Sequence, residues 1–185
     1  MKLSKLPYVV RGFGAFLIAG ALALALEAAM MKIVSSSPRA NIGFTATMVI
    51  MAIPGAVGGA LFALGTQAAW RAAFGFAGGL SFAWAASMFV LISIQGGGRP
   101  EYVWLGAGCA VAFGIGGAIG GATLGCRNAL TGAVAFAIAG ALYGVGVGLS
   151  SVGEMPHLLM LAMIVGAYAV GGGLLGLAID MQRRR

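Results

Sequence analysis

Six runs of this sequence, at about 12–34, 42–65, 72–94, 102–125, 129–149 and 158–179, are apolar almost throughout. Each is long enough to cross a bilayer as a helix, which takes roughly 20 mainly apolar residues. None alternates polar and apolar side chains as the strands of a membrane barrel do. The connections are short: SSSPRAN, QGGGRPE and SSVGEMPH on one side, TQAAWR and GCRN on the other. Loops of this size build no separate extramembrane domain. The fold class expected is therefore all-α, a polytopic membrane protein of six transmembrane helices, with residues 1–185 as a single integral membrane domain.

Composition closes the alternatives. Only 8% of the residues are charged and 61% are hydrophobic, against about 25% charge in a soluble domain. Such a chain cannot cover a water-facing surface. Disorder is excluded as well, because it needs low hydrophobicity and high net charge. Lys2, Lys5 and Arg11 before an apolar run resemble a secretion signal, but the run shares a motif with later spans and reads as the first helix.

The scarce charge orients the bundle. With six spans both termini share a side, and that side holds Lys2, Lys5, Arg11, Arg71, Arg127, Arg183, Arg184 and Arg185. Lys32, Arg39 and Arg99 fall on the other side with Glu27, Glu101 and Glu154, so the whole net charge of +7 belongs to the terminal face. Basic loops mark the cytoplasmic side. Both termini are expected in the cytoplasm, the protein in a bacterial cytoplasmic membrane, and its basic face against anionic lipid. Nucleic acid is not an expected partner, since no basic stripe carries aromatic platforms.

A motif recurs along the chain. FLIAGAL begins at Phe16, FGFAGGL at Phe74 and FAIAGAL at Phe136, each early in an odd-numbered span. AVGGALF from Ala56, AIGGATL from Ala118 and AVGGGLL from Ala169 mark the even spans. Pro38, Pro100 and Pro156 precede the even spans, and Arg11, Arg71 and Arg127 the odd ones. The expected unit is a two-helix hairpin, repeated over about 8–66, 67–126 and 127–180. Two spans per unit make the repeats parallel, which predicts a six-helix bundle with pseudo-threefold symmetry.

The chain has 33 glycines. Several stand four apart on one helix face: Gly55 and Gly59; Gly117, Gly121 and Gly125; Gly132, Gly140, Gly144 and Gly148, with Phe136 completing the series; Gly172 and Gly176. In lipid the helix tolerates glycine, and small residues at this spacing let backbones approach closely. These are the expected helix-packing residues, and Pro54 is expected to kink the second span.

Few side chains offer chemistry. Glu27 is the one carboxylate placed well inside a span, where an ionisable group is a functional candidate by default. Snorkelling to the nearer interface is its simpler reading, and a proton or cation site the sharper one. The FxxAG register pairs it with Ala85 and Val147. His157 is the single histidine, an interfacial cap or a pigment ligand. Cys109 and Cys126, read as the two ends of one buried helix, lie about 25 Å apart, too far for a disulfide. Ser35, Ser36 and Ser37 lack a base and an orienting acid. No HExxH, Walker A or CxxC motif is present. No catalytic residue, metal site or cofactor is expected.

Three functions fit these features. The first is a non-catalytic structural or accessory subunit that packs by its glycine faces against itself or other membrane subunits. The second is a channel for a small solute, or a proton- or cation-coupled transporter with Glu27 as the intramembrane carboxylate. The third is a subunit that binds a pigment or lipid cofactor.

Overall fold

The computed structural model describes residues 6–36, 44–95, 102–151, 153 and 156–184. They form six helices: α1 (Tyr8–Ser36), α2 (Phe44–Phe62), α3 (Ala69–Gln95), α4 (Tyr102–Ala122), α5 (Cys126–Ser151) and α6 (His157–Arg183). No strand occurs among the described residues. By length and apolar composition five of the helices can cross a membrane; α2 is the exception, with a shorter apolar stretch, Ala46–Phe62. The exterior is apolar too, with Phe74, Phe89, Leu130 and Leu158 largely exposed, as suits an integral membrane protein.

Each helix packs on its sequence neighbours, and α6 closes the ring against α1. Alternate helices therefore meet only on the central axis. There the rings of Phe16 (α1), Phe76 (α3) and Phe136 (α5) touch one another, with centroids 4.9, 5.1 and 5.7 Å apart. All three are fully buried, in edge or tilted contacts that suit the aromatic quadrupole.

These phenylalanines set a common register, because each is 60 residues from the next. Three residues beyond them lie the small residues Ala19, Gly79 and Ala139, all buried. Seven beyond lie Ala23, Ala83 and Tyr143, where one tyrosine stands against two alanines. Four residues before them lie Gly12, Ala72 and Gly132, again buried. The FxxAG match at Phe74 is thus displaced by two residues. Phe74 is 75% exposed and Phe76 is 0% exposed, because two residues of helix turn a side chain by about 200°. Counted from the axial phenylalanines, Glu27 and Ser87 each lie 11 residues on, whereas the FxxAG match sets Glu27 beside Ala85.

Glycine makes room for this packing. A methyl group added to Gly55 or Gly59 would fall on the carbonyl oxygens of Phe76 and Ala72 of α3. Between α4 and α5, Gly117 faces the Gly132 carbonyl and Gly121 the Asn128 carbonyl; Gly132, Gly140 and Gly144 face those of Gly117, Cys109 and Leu105. Between α6 and α1, Gly172 faces the Gly12 carbonyl and Gly176 that of Tyr8. Gly148 is buried on α5. Backbones this close gain dispersion contact and Cα–H···O interactions.

Gly125 is a correction to the four-spaced face. α4 ends at Ala122, and Gly125 sits exposed in the following turn with φ +131°. A side chain there would be strained, so its role is to turn the chain towards α5. Gly65, at φ 80°, does the same between α2 and α3. Pro54 is fully buried inside α2, which continues through it. Cys126 is also corrected: it opens α5 and is exposed, whereas Cys109 is buried.

Two outcomes follow for thermal unfolding in detergent. Phe76→Ala should destabilise the bundle by on the order of 2–3 kcal/mol through the cavity it leaves, while Phe74→Ala stays within about 0.5 kcal/mol. Equal effects would reject the register. Gly172→Val should cost about 1–3 kcal/mol by overpacking, whereas Gly78→Ala, with open space at its Cβ position, should not destabilise.

Candidate functional site

The phenylalanine contact divides the bundle axis into two ends of different chemistry. Towards the end reached by the C-terminus of α1, polar groups from several helices converge. Glu27 and Ser87 each stand 11 residues beyond their phenylalanine, about 16 Å along the helix. Trp84, one turn before Ser87, donates its indole N–H to Glu27 Oε1 at 3.1 Å. The half-buried Glu27 side chain thus bonds to α3. The phenols of Tyr143 (α5) and Tyr168 (α6), both buried, lie within Coulombic range of Glu27. Phe113 of α4 packs on both, with centroids 5.3 and 5.9 Å away.

Ser87 is 1% exposed, and its Oγ is buried without a hydrogen-bond partner. The Cys109 thiol of α4 lies beside it, a weak partner at best. An unsatisfied buried hydroxyl costs about 1–3 kcal/mol. It stands in the same layer as the Glu27 carboxyl. The cluster is thus one carboxyl, two phenols, a hydroxyl, a thiol and an indole inside an apolar bundle. Its groups can exchange a proton or hydrogen-bond a small solute. Nothing in it supplies an activated nucleophile with base and orienting acid.

The other end holds both chain termini and the arginines. Here a cavity of about 380 Å³ opens on the axis. Tyr8, Ala68 and Asn128, each eight residues before its phenylalanine, line it together with Arg127 and Arg183. The Tyr8 ring is stacked by Arg11 and Arg183, whose guanidinium carbons lie 5.0 and 4.4 Å from its centre, a cation–π arrangement. Arg11 was expected at the membrane boundary, but it is only 6% exposed. It donates through Nη2 to the Leu64 carbonyl, and its Nε is buried without a partner. Asp180 accepts the Val9 backbone N–H at 3.0 Å, an anion at the start of α1 where the helix dipole favours it.

Glu27 is the only sequence candidate that the structure brings into the polar cluster. Trp84, Tyr143 and Tyr168 join it, aromatic residues deep in their spans whose indole N–H and hydroxyls need partners, and so does Ser87, which no motif marked. His157 opens α6, and its side chain lies outside the described residues, as do Pro38, Pro100, Arg39, Arg99, Glu101 and Glu154. Among the described residues no group of three or more His, Cys, Asp or Glu side chains can hold a metal.

No protein-family model matches the chain, and no curated protein or solved structure gives a match. The functional reading therefore rests on the geometry alone.

Glu27→Gln should keep the fold, since its carbonyl oxygen can still accept from Trp84. Glu27→Leu should lower stability by about 1–3 kcal/mol because the indole N–H loses its acceptor. Thermal unfolding compares the two, and equal stability would remove the Trp84 contact from the account. Thiol labelling gives a second check: a maleimide should modify Cys126 rapidly and Cys109 only on unfolding, as exposure governs access. Labelling that persists in Cys126→Ser would contradict the burial of Cys109.

Proposed function

We propose that this protein is a proton-coupled transporter for a small, weakly polar solute, with Glu27 as the group that takes up and releases the proton. The observation that carries the reading is the Glu27–Trp84 hydrogen bond between α1 and α3. A carboxyl at this depth in a membrane helix is costly, which makes it a functional candidate by default. The contact of Phe16, Phe76 and Phe136 acts as the central barrier between the polar cluster and the open cavity. Alternating access needs such a barrier, with a binding site beside it.

The repeat belongs to the same reading. Three hairpins, 8–66, 67–126 and 127–180, would each place one phenylalanine at the barrier and one small-residue layer on either side. The first glycine of each even-span motif supports this: Gly58 faces Phe16, Gly120 faces Phe76 and Gly171 faces Phe136. Transporters often build their sites where repeats meet. Asymmetry then supplies the chemistry, with Glu27, Ser87 and Val147 at one level.

A second reading, an accessory subunit that binds partner helices, has its own support. Gly14 on α1 and Gly78 on α3 have open space where a Cβ would stand, so a partner helix can approach either closely. Mass measurement in mild detergent addresses it: a larger assembly that Gly14→Leu or Gly78→Leu disperses would favour the subunit reading, and an unaltered monomer would oppose it.

Transport is tested with purified protein in liposomes under an imposed pH gradient. Internal pH is followed while small neutral and weakly basic solutes are added. Glu27→Gln should reduce solute-dependent proton movement about tenfold or more, equivalent to roughly 1.4 kcal/mol in the barrier. Trp84→Phe should reduce it less, since the carboxyl remains. Movement equal to wild type in Glu27→Gln, or none above empty liposomes for any solute, would overturn the proposal.

A further inference from the structure

The cavity at the arginine end has a chemistry that proton coupling at Glu27 does not use. Arg127 and Arg183 both line it. Arg11, which does not line it, also lies over the Tyr8 ring. Among the described residues the carboxylate at this end is Asp180, which is engaged by the Val9 N–H. Three helices begin here and three end here, so their terminal partial charges offset one another. With two arginines and no carboxylate among its lining residues the cavity is basic, and both arginines are exposed at the surface.

A second group narrows the ligand. Asn128 donates through Nδ2 to the Leu124 carbonyl at 3.1 Å. A carbonyl only accepts, so this bond fixes the amide orientation. The Asn128 Oδ1 is then buried with no partner, and Asn128 lines the cavity. A buried acceptor of this kind calls for a donor. An anion with acceptor oxygens alone would satisfy the arginines and leave Oδ1 orphaned. A ligand with anionic oxygens and an O–H or N–H of its own satisfies both.

We propose that this cavity binds a phosphoryl group with an adjoining hydrogen-bond donor, its oxygens held by Arg127 and Arg183 and its donor accepted by Asn128 Oδ1. Guanidinium groups match phosphate oxygens by charge-assisted, often bidentate, hydrogen bonds. Two sources offer this chemistry at a membrane face: free hydrogen phosphate, which retains an O–H, and the headgroup of an anionic phospholipid such as phosphatidylglycerol, whose glycerol carries hydroxyls. The cavity, about 380 Å³, has room for either group. The site stands on its own residues and does not depend on transport.

The test uses the full chain in nanodiscs of phosphatidylcholine. Binding of inorganic phosphate is measured by calorimetry, with sulfate as the anion that has no O–H. Retention of phosphatidylglycerol is measured by native mass spectrometry from mixed-lipid discs. Arg127→Gln and Arg183→Gln should each weaken binding about tenfold, and Arg127→Lys should recover part of it. Asn128→Ala should lower phosphate affinity towards that of sulfate without changing sulfate itself. Arg71→Gln is the control, since Arg71 is exposed outside the cavity and lies over Trp70, 5.3 Å from its ring. Saturable phosphate binding preferred over sulfate identifies the free anion. Selective retention of phosphatidylglycerol without phosphate binding identifies the headgroup, and both results support the site. Binding of neither, or an equal loss in Arg71→Gln, would overturn it. Circular dichroism melts separate loss of binding from loss of fold.

Discussion

Three phenyl rings meeting on the axis of a six-helix ring are the contact on which the rest of this structure depends. Alternate helices can share that point only if the ring is tight. It is tight because glycines let neighbouring backbones lie against one another's carbonyls. The two features are coupled in the chain itself. Gly58, Gly120 and Gly171 each sit over one of the three rings, while Gly59, Gly121 and Gly172, the next residue of each motif, face a carbonyl of the adjoining odd helix. In lipid, burying apolar area supplies little drive between helices, so such dispersion contact carries the assembly. Composition that is destabilising in a water-exposed helix becomes the means of packing here.

Much of this was legible in the sequence. Apolar run length gave the helices, and four-spaced glycines pointed to the faces that approach. Other features escaped for physical reasons. Phe74 and Phe76 share a motif-rich segment, and only packing against α1 and α5 decides which ring turns inward. Gly125 continues the spacing of Gly117 and Gly121, yet the helix stops before it, because a positive φ cannot be read from periodicity. Cys126 follows that turn and so lies outside the core. Arg11 looked like a boundary charge, but a carbonyl beyond the end of α2 draws it inward. The Glu27–Trp84 bond joins residues 57 apart, and no local pattern encodes such a contact.

The polar groups fall on two sides of the phenylalanine contact, and their chemistry differs. One side offers a carboxyl, two phenols and an unsatisfied hydroxyl, a set suited to a proton and a weakly polar solute. The other offers guanidinium groups and an unsatisfied amide oxygen, a set suited to a phosphoryl group. Val147, like Glu27 and Ser87, lies 11 residues beyond an axial phenylalanine, and Tyr143 packs on Phe113. The proposed roles of the two ends draw on this difference in chemistry.

The central claim is that the axis is closed at the phenylalanines, with the two polar ends separated. Cysteine accessibility tests this most directly, in a background lacking Cys109 and Cys126 and in sealed liposomes of known orientation. A cysteine at Ala68, half-buried in the cavity lining, should react with a membrane-impermeant thiol reagent added on the arginine side. A cysteine at Ala83, beyond the rings and fully buried, should not react from that side. Reaction of both positions at similar rates from the arginine side would contradict a closed axis.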